Sequence, residues 1–252
     1  MINASPDLRA QIESFPALHP SPGSRRNSPL RDVFLTNADL DHILGLPLLR
    51  EGTPLRVHAT AAVRETLARH LRWDLLFGSF CGIDWKETIP GAWMPLMQGT
   101  LRSTGLRYRA IDLGGSPPPY ARNPAFPGTH SVAYQFADER TGGQLLVAPD
   151  VASVPPALKE ALLEADAVLF DGTFWSANEL RPFRSNAPLA EDMGHLPIRG
   201  GSLDLLRGLK ASRKIYLHIN NTNPILAPDS PERAEVEKAG IEVGSDGLEF
   251  DL

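Results

Sequence analysis

Residues 144–171, QLLVAPDVASVPPALKEALLEADAVLFD, decide the fold class. The run 144–148 is short and apolar, as is 167–170, and 156–165 between them reads as a helix. A strand, a helix and a strand in succession argue for a layered α/β fold. The same grammar recurs outward from this stretch. Residues 131–136 and 214–217 read as strands, and 202–209 as a helix. Toward the N-terminus, 32–35 reads as a short buried strand broken by the polar run 36–41, and 43–50 as a helix. A strand over 54–57 precedes an amphipathic helix over 61–71, with Val63, Leu67 and Leu71 four apart. Residues 241–243 and 248–252 flank a Gly-Ser-Asp-Gly turn and predict a closing hairpin. Residues 14–30, rich in Pro, Ser and Arg, predict an exposed loop, and no internal repeat is present.

Bulk properties narrow the function classes. The chain has 252 residues, 42% of them hydrophobic, which suits one sizeable core and predicts a single domain over 1–252. With a net charge of −5 and no Lys/Arg run, nucleic acid is not an expected partner. No apolar run approaches the roughly 20 residues needed to cross a bilayer. The first residues, MINASPDLRAQI, lack the charged-then-apolar pattern of a secretory signal, so a cytoplasmic protein is expected. Cys81 is the single cysteine, which rules out an internal disulfide and a multi-cysteine zinc site.

Five places put a histidine or a carboxylate at the end of an apolar strand, where α/β folds bind ligands. The first is Thr36-Asn37-Ala38-Asp39-Leu40-Asp41-His42. It reads either as a metal-binding loop or as an Asx-rich turn with Asp41 capping a helix. His130 opens the strand at 131 and reads as a ligand or as a structural histidine bonded to a carbonyl. Asp150 ends LLVAP; it is a ligand or a turn residue. Asp171, before Gly-Thr-Phe-Trp, is a catalytic orienter or a turn residue. His218 leads into Asn220, Asn221, Thr222 and Asn223, a run that could hold a polar ligand or form an Asn-rich turn. His195, in Asp-Met-Gly-His-Leu-Pro, is a candidate general acid/base.

This pattern resembles the metallo-β-lactamase superfamily, whose His-x-His-x-Asp-His loop is followed by a strand-starting His, a bridging Asp and a late His. Here Asn37 and Asp39 stand where the first two histidines would be, while Asp41 and His42 keep the Asp-His pair. His130, Asp150 and His218 resemble the third His, the bridging Asp and the last His. Asp171 and His195 look like the acid/histidine pair of the phosphodiesterase branch. Within the superfamily, the strings TNADLDH, DGTFW, DMGHLPI and HINNTNPIL, with the opening NASPDLRAQI, resemble the PqqB family from Asn3 to the C-terminus.

The resemblance implies an αββα sandwich. It also implies a further N-terminal segment carrying a Gly-rich strand–loop and a cysteine-rich structural zinc site, so the first strands of the sandwich are expected to be missing. Loss of two imidazoles disfavours a dizinc hydrolase and leaves Asp41, His42 and His218, the two-histidine, one-carboxylate set suited to Fe(II). One divalent metal is therefore expected, Fe(II) favoured, with Zn or Mn as alternatives. Asp39 and Asp150 would be secondary ligands or hydrogen-bond partners, and Asn37 and His130 would face substrate with the 220–223 run. Asp171 would orient His195 for proton transfer. By resemblance, the protein takes part in biosynthesis of the redox cofactor pyrroloquinoline quinone (PQQ). There it would hydroxylate the tyrosine-derived ring of a Glu-Tyr-derived precursor, alongside other enzymes of the route and as a homodimer. Three other readings stay open: a carrier that transports PQQ or its precursor to the periplasm, a metal-dependent hydrolase, and an inactive fragment whose sandwich lacks its first strands.

Overall fold

The computed structural model describes residues 1–23, 28–50, 53–99, 102–122 and 126–252. Residues 24–27 of the expected N-terminal loop lie outside the described residues. The chain divides into two compact units, Met1–Ile89 with Gly114–Ser131 and Pro90–Leu113 with Val132–Leu252.

The first unit is built on a parallel three-stranded sheet of β1 (Asp32–Phe34), β2 (Leu55–Ala59) and β3 (Ile83–Glu87), in that order. Its helices are α1 (Leu8–Ser14), α2 (Leu40–Ile43), α3 (Ala61–His70) and α4 (Trp73–Gly78). Val33, Val57, Val63, Leu67 and Phe77 share one buried cluster, so the apolar face of α3 supports the sheet. Thr60 starts α3, its hydroxyl oxygen accepting from the Val63 amide at 3.2 Å. The helix expected over 43–50 is instead the single turn α2 and a 3-10 turn at Leu46–Leu49. Pro47 has no N–H to offer the Ile43 carbonyl, so an α-helix cannot run through it. The sequence assigned no element to 72–130; α4, β3 and two further strands lie there.

The second unit holds a seven-stranded sheet. Its strands are β4 (Met94–Gln98), β5 (Arg102–Gly114), β6 (Ser131–Asp138), β7 (Gln144–Ala148), β8 (Ala167–Asp171), β9 (Arg213–Leu217) and β10 (Glu242–Val243), ordered β10-β9-β8-β7-β6-β5-β4. The stretch quoted first folds as expected: β7 and β8 pair in parallel through α5 (Pro156–Glu164), whose Leu158, Ala161 and Leu162 are buried. α6 (Leu203–Arg207) and α7 (Pro231–Lys238) bring Leu203, Leu206 and Val236 to the same core as Leu146, Val168 and Phe170.

The closing hairpin is not formed. β10 pairs with β9 in parallel, and 248–252 carry no strand. Arg213 explains the outcome, because its guanidinium grips Glu242 through two bonds of 2.6 Å. The Gly244 amide then donates to the Tyr216 carbonyl at 2.8 Å, where a Cβ on Gly244 would lie 2.9 Å from that oxygen.

Candidate functional site

Parallel pairing puts the C-terminal ends of β7, β8 and β9 along one edge of their sheet. The register sets Ala148 beside Phe170 and Asp171 beside Leu217. Asp150, Asp171 and His218 therefore leave the sheet at the same edge, where open α/β sheets bind ligands. His195 arrives from the loop after a 3-10 turn at Glu191–Met193; Gly194 takes a φ of 96° and the His195 amide bonds the Ala190 carbonyl. Asp150, His195 and His218 each offer one ligand atom, all within 4.8 Å of one another. Asp150 Oδ1 stands 3.6 Å from Nδ1 of both rings. One carboxylate and two imidazoles are the donor set of a divalent transition-metal site, so the side chains fit such an ion.

Asp171 is the anchor of this cluster. It is fully buried and surrounded by donors: the Val151 amide at 2.9 Å, the Thr173 amide at 3.0 Å, the Thr173 hydroxyl at 2.6 Å and His195 Nδ1 at 2.8 Å. A carboxylate so engaged orients its neighbours and has little capacity left for a metal. Burial works against a charged His195, but the hydrogen bond and charge of Asp171 and the charge of Asp150 outweigh it. The His195 pKa is raised above that of an ordinary histidine. The expected pairing of Asp171 with His195 is present.

The β8 and β9 loops are tied together by backbone. The Gly172 amide donates to the Leu217 carbonyl at 2.8 Å, and the Asn220 amide to the Thr173 carbonyl at 3.1 Å. His218 takes a left-handed φ of 55°, uncommon for a residue with a Cβ and a mark of local strain. The run expected to hold substrate divides. Asn223 is buried, donates to the Gly172 carbonyl at 2.8 Å and accepts from the Ile225 amide at 3.1 Å, so its amide serves the fold. Asn220 donates to Thr222, whose hydroxyl donates to Glu179, both at 2.6 Å, and Asn221 is exposed.

The first unit presents the other candidates. His42 is buried, with Nδ1 at 3.0 Å from Asn3 Nδ2 and 3.1 Å from Thr36 Oγ1. Asn3 is fixed in turn, because its Oδ1 accepts from the Thr36 amide at 2.9 Å. Asp41 is exposed and lies 3.8 Å from His42 Nε2. The N-cap of α2 is Asp39 and not Asp41, and the Asp39 side chain makes no capping bond. Buried Asn37 closes an Asx turn by accepting from the Asp39 amide at 2.9 Å. Tyr120 donates to the Ala38 carbonyl; burial, then the charge of Asp39, pushes its pKa up. His130 bonds the Phe126 carbonyl through Nε2 at 2.7 Å, the structural alternative for that residue. Asn3, Thr36 and Thr173 were given no role by the sequence. Their only local signal is the spacing Asp-x-Thr at 171–173 and the polar cluster opening at 36.

Comparison with known proteins identifies the family and the fold. Residues 1–219 match the family model described as a beta-lactamase superfamily domain. The chain is 39% identical over 257 residues to "Coenzyme PQQ synthesis protein B" of Azotobacter vinelandii, covering 100% of this chain and 83% of that one. It is 40% identical over 265 residues to the protein of the same name from Ectopseudomonas mendocina, with the same coverage. The crystal structure of Zn(2+)-bound PqqB from Methylobacterium extorquens superposes with a TM-score of 0.85 at 32% identity, covering 100% of this chain and 82% of that one. The α/β metallo-β-lactamase fold expected from the sequence is thus established. Among the described residues no helix is long and apolar enough to cross a membrane.

Proposed function

This chain belongs to the PqqB family of the metallo-β-lactamase superfamily, and from that premise we propose that it acts in PQQ biosynthesis as an iron-dependent oxygenase. The substrate is the tyrosine-derived ring of a Glu-Tyr-derived precursor. One ring C–H becomes C–OH with one atom of dioxygen, and an external two-electron reductant carries the other atom to water. The observation that carries this reading is the Asp171–His195 pair set beside Asp150 and His218 in one cluster. A proton carrier beside a metal-type donor set is what ring hydroxylation calls for.

Asp150 and His218, which leave the same sheet edge, would hold the ion. When bound, the ion supplies the redox chemistry with dioxygen. The protein's own groups do the rest. Asp171 holds the Nδ1–H of His195 at 2.8 Å, which leaves Nε2 to take the proton from the phenol oxygen of the ring. Asn220 and Asn221 would meet the polar, carboxylate-rich end of the precursor.

A second reading of His195 follows from its place in the ligand cluster: it binds the ion itself. His195→Gln separates the two, since a proton carrier loses turnover at unchanged metal stoichiometry and a ligand loses the metal. The reaction is tested by anaerobic loading of the full chain with Fe(II), followed by dioxygen and a Glu-Tyr-like diamino acid. A product heavier by one oxygen atom is expected. Tight PQQ binding without turnover would mark a carrier, and Zn(II)-dependent cleavage of a chromogenic phosphodiester would mark a hydrolase.

A further inference from the structure

We propose that Thr173 is a positioning residue that fixes His218 in a single tautomer, with Nδ1 protonated and Nε2 left as the electron-pair donor. The proposal deepens the reading of His218 as a metal ligand and rests on it for its purpose, but its geometry stands on the contacts of Thr173 and Asp171. The Thr173 side chain is buried, and its Oγ1 lies 2.6 Å from Asp171 Oδ1, 2.8 Å from the His218 carbonyl, 2.8 Å from His218 Nδ1 and 3.2 Å from His195 Nδ1.

A hydroxyl has one hydrogen and two lone pairs. Two oxygens compete for that hydrogen, and the Asp171 carboxylate wins because it is both charged and closer. Whichever oxygen takes it, Thr173 Oγ1 has no hydrogen left to give an imidazole. His195 gives its Nδ1–H to Asp171 Oδ2 at 2.8 Å and makes only the longer approach to Thr173. His218 Nδ1 is then the atom that must bring a proton, since an unprotonated nitrogen there would set lone pair against lone pair at 2.8 Å. One buried charge thus fixes two rings: Asp171 holds His195 directly and His218 through Thr173. In both, Nε2 is the nitrogen left unprotonated. The backbone is consistent with this precision, because the strained φ of His218 is locked where the Gly172 amide and the Leu217 carbonyl meet at 2.8 Å. A ligand imidazole whose tautomer is set in advance binds a metal without first moving a proton.

Long-range proton–nitrogen correlation spectra of the metal-free full chain, with the imidazoles neutral, read the tautomer directly. Nε2 of His218 is expected to be the unprotonated nitrogen. Thr173→Val keeps the shape and removes the hydroxyl; it should turn the His218 signature into a mixture and weaken Zn(II) binding, measured by calorimetry, by about ten- to a hundredfold. Thr173→Ser should restore both. An unprotonated Nδ1 in the unaltered chain overturns the proposal, as does a Val variant with unchanged signature and Zn(II) affinity. If the Val variant does not fold, the unaltered spectrum and the Ser variant still decide. Failure of the Fe(II)–dioxygen reaction with the tautomer intact would remove the oxygenase reading and leave Thr173 in place.

Discussion

His42 in the first unit and His195 in the second are both tucked away from solvent and both held through Nδ1, but by different chemistry. His195 is held by a buried carboxylate, Asp171, whereas His42 is held by the neutral amide of Asn3 and the hydroxyl of Thr36. A bond to an ionised partner is roughly twice as strong as one between neutral groups. The carboxylate also fixes the direction of the proton, because it can only accept. The Asn3 amide nitrogen can only donate, because its oxygen is taken by the Thr36 amide, so Nδ1 of His42 is the acceptor in that contact. Nδ1 of His195 therefore gives its proton to a carboxylate, while Nδ1 of His42 accepts one from an amide, so the two units set opposite roles for the same ring atom.

That contrast can be broken most directly at Asp171. Asp171→Ala should cost about 4 kcal/mol of folding stability, since buried donors from Val151 and Thr173 lose their acceptor together. Chemical denaturation of the two chains measures the difference, and a loss no greater than that of an ordinary surface change would end the asymmetry.

The first unit does contain one histidine held by charge, away from the candidate ligands, and it sharpens the comparison. Asp32 bonds His58 Nε2 at 2.8 Å and also pairs with Arg56. Burial raises the Asp32 pKa, but the His58 hydrogen bond and the Arg56 charge outweigh it, leaving a net lowering. Because the folded pKa is the depressed one, the stabilisation is complete above the unfolded value of about 3.9 and is lost as pH falls through the folded value. Asp32→Asn should cost about 2 kcal/mol at neutral pH. Thermal midpoints of the two chains should converge on acidification; a gap that persists at low pH contradicts the assignment.

An effect of the same order tests the rigidity of the β8–β9 junction. A Cβ on Gly172 would lie 2.8 Å from Tyr216 Cβ and 3.1 Å from the Leu217 carbonyl, so Gly172→Ala should cost about 2 kcal/mol by overpacking. Hydrogen exchange at the Gly172 and Asn220 amides would report the loosening locally. Asn3→Ala should be mildest, about 1 kcal/mol, because neutral bonds are lost and Thr36 still faces His42. Should Asn3→Ala prove as costly as Asp171→Ala, neutral and charged anchoring would be equivalent here.

Much of the architecture was legible because it is local. The parallel β7–α5–β8 stretch follows from apolar runs of strand length around a helical one, and the strand ends that carry Asp150, Asp171 and His218 follow from where those runs stop. The pairing of Asp171 with His195 was legible by resemblance. Where β10 would pair was not, since the Arg213–Glu242 grip spans 29 residues. The break at Pro47 was readable in principle from its missing donor, and the long strand β5 was hidden by charged residues on its exposed positions.

The amino-acid sequence on its own determined which chemical groups reach the ends of the strands, because hydrophobic periodicity and turn residues act over a few neighbours. Only the tertiary structure decided what each group does there. Thr173 meets His218 across 45 residues, and Asn3 meets Thr36 across 33, through hydrogen bonds that no local pattern announces. The tautomer a histidine adopts is a property of its partners in space, and residue spacing carries no information about which of two ring nitrogens a distant hydroxyl will face.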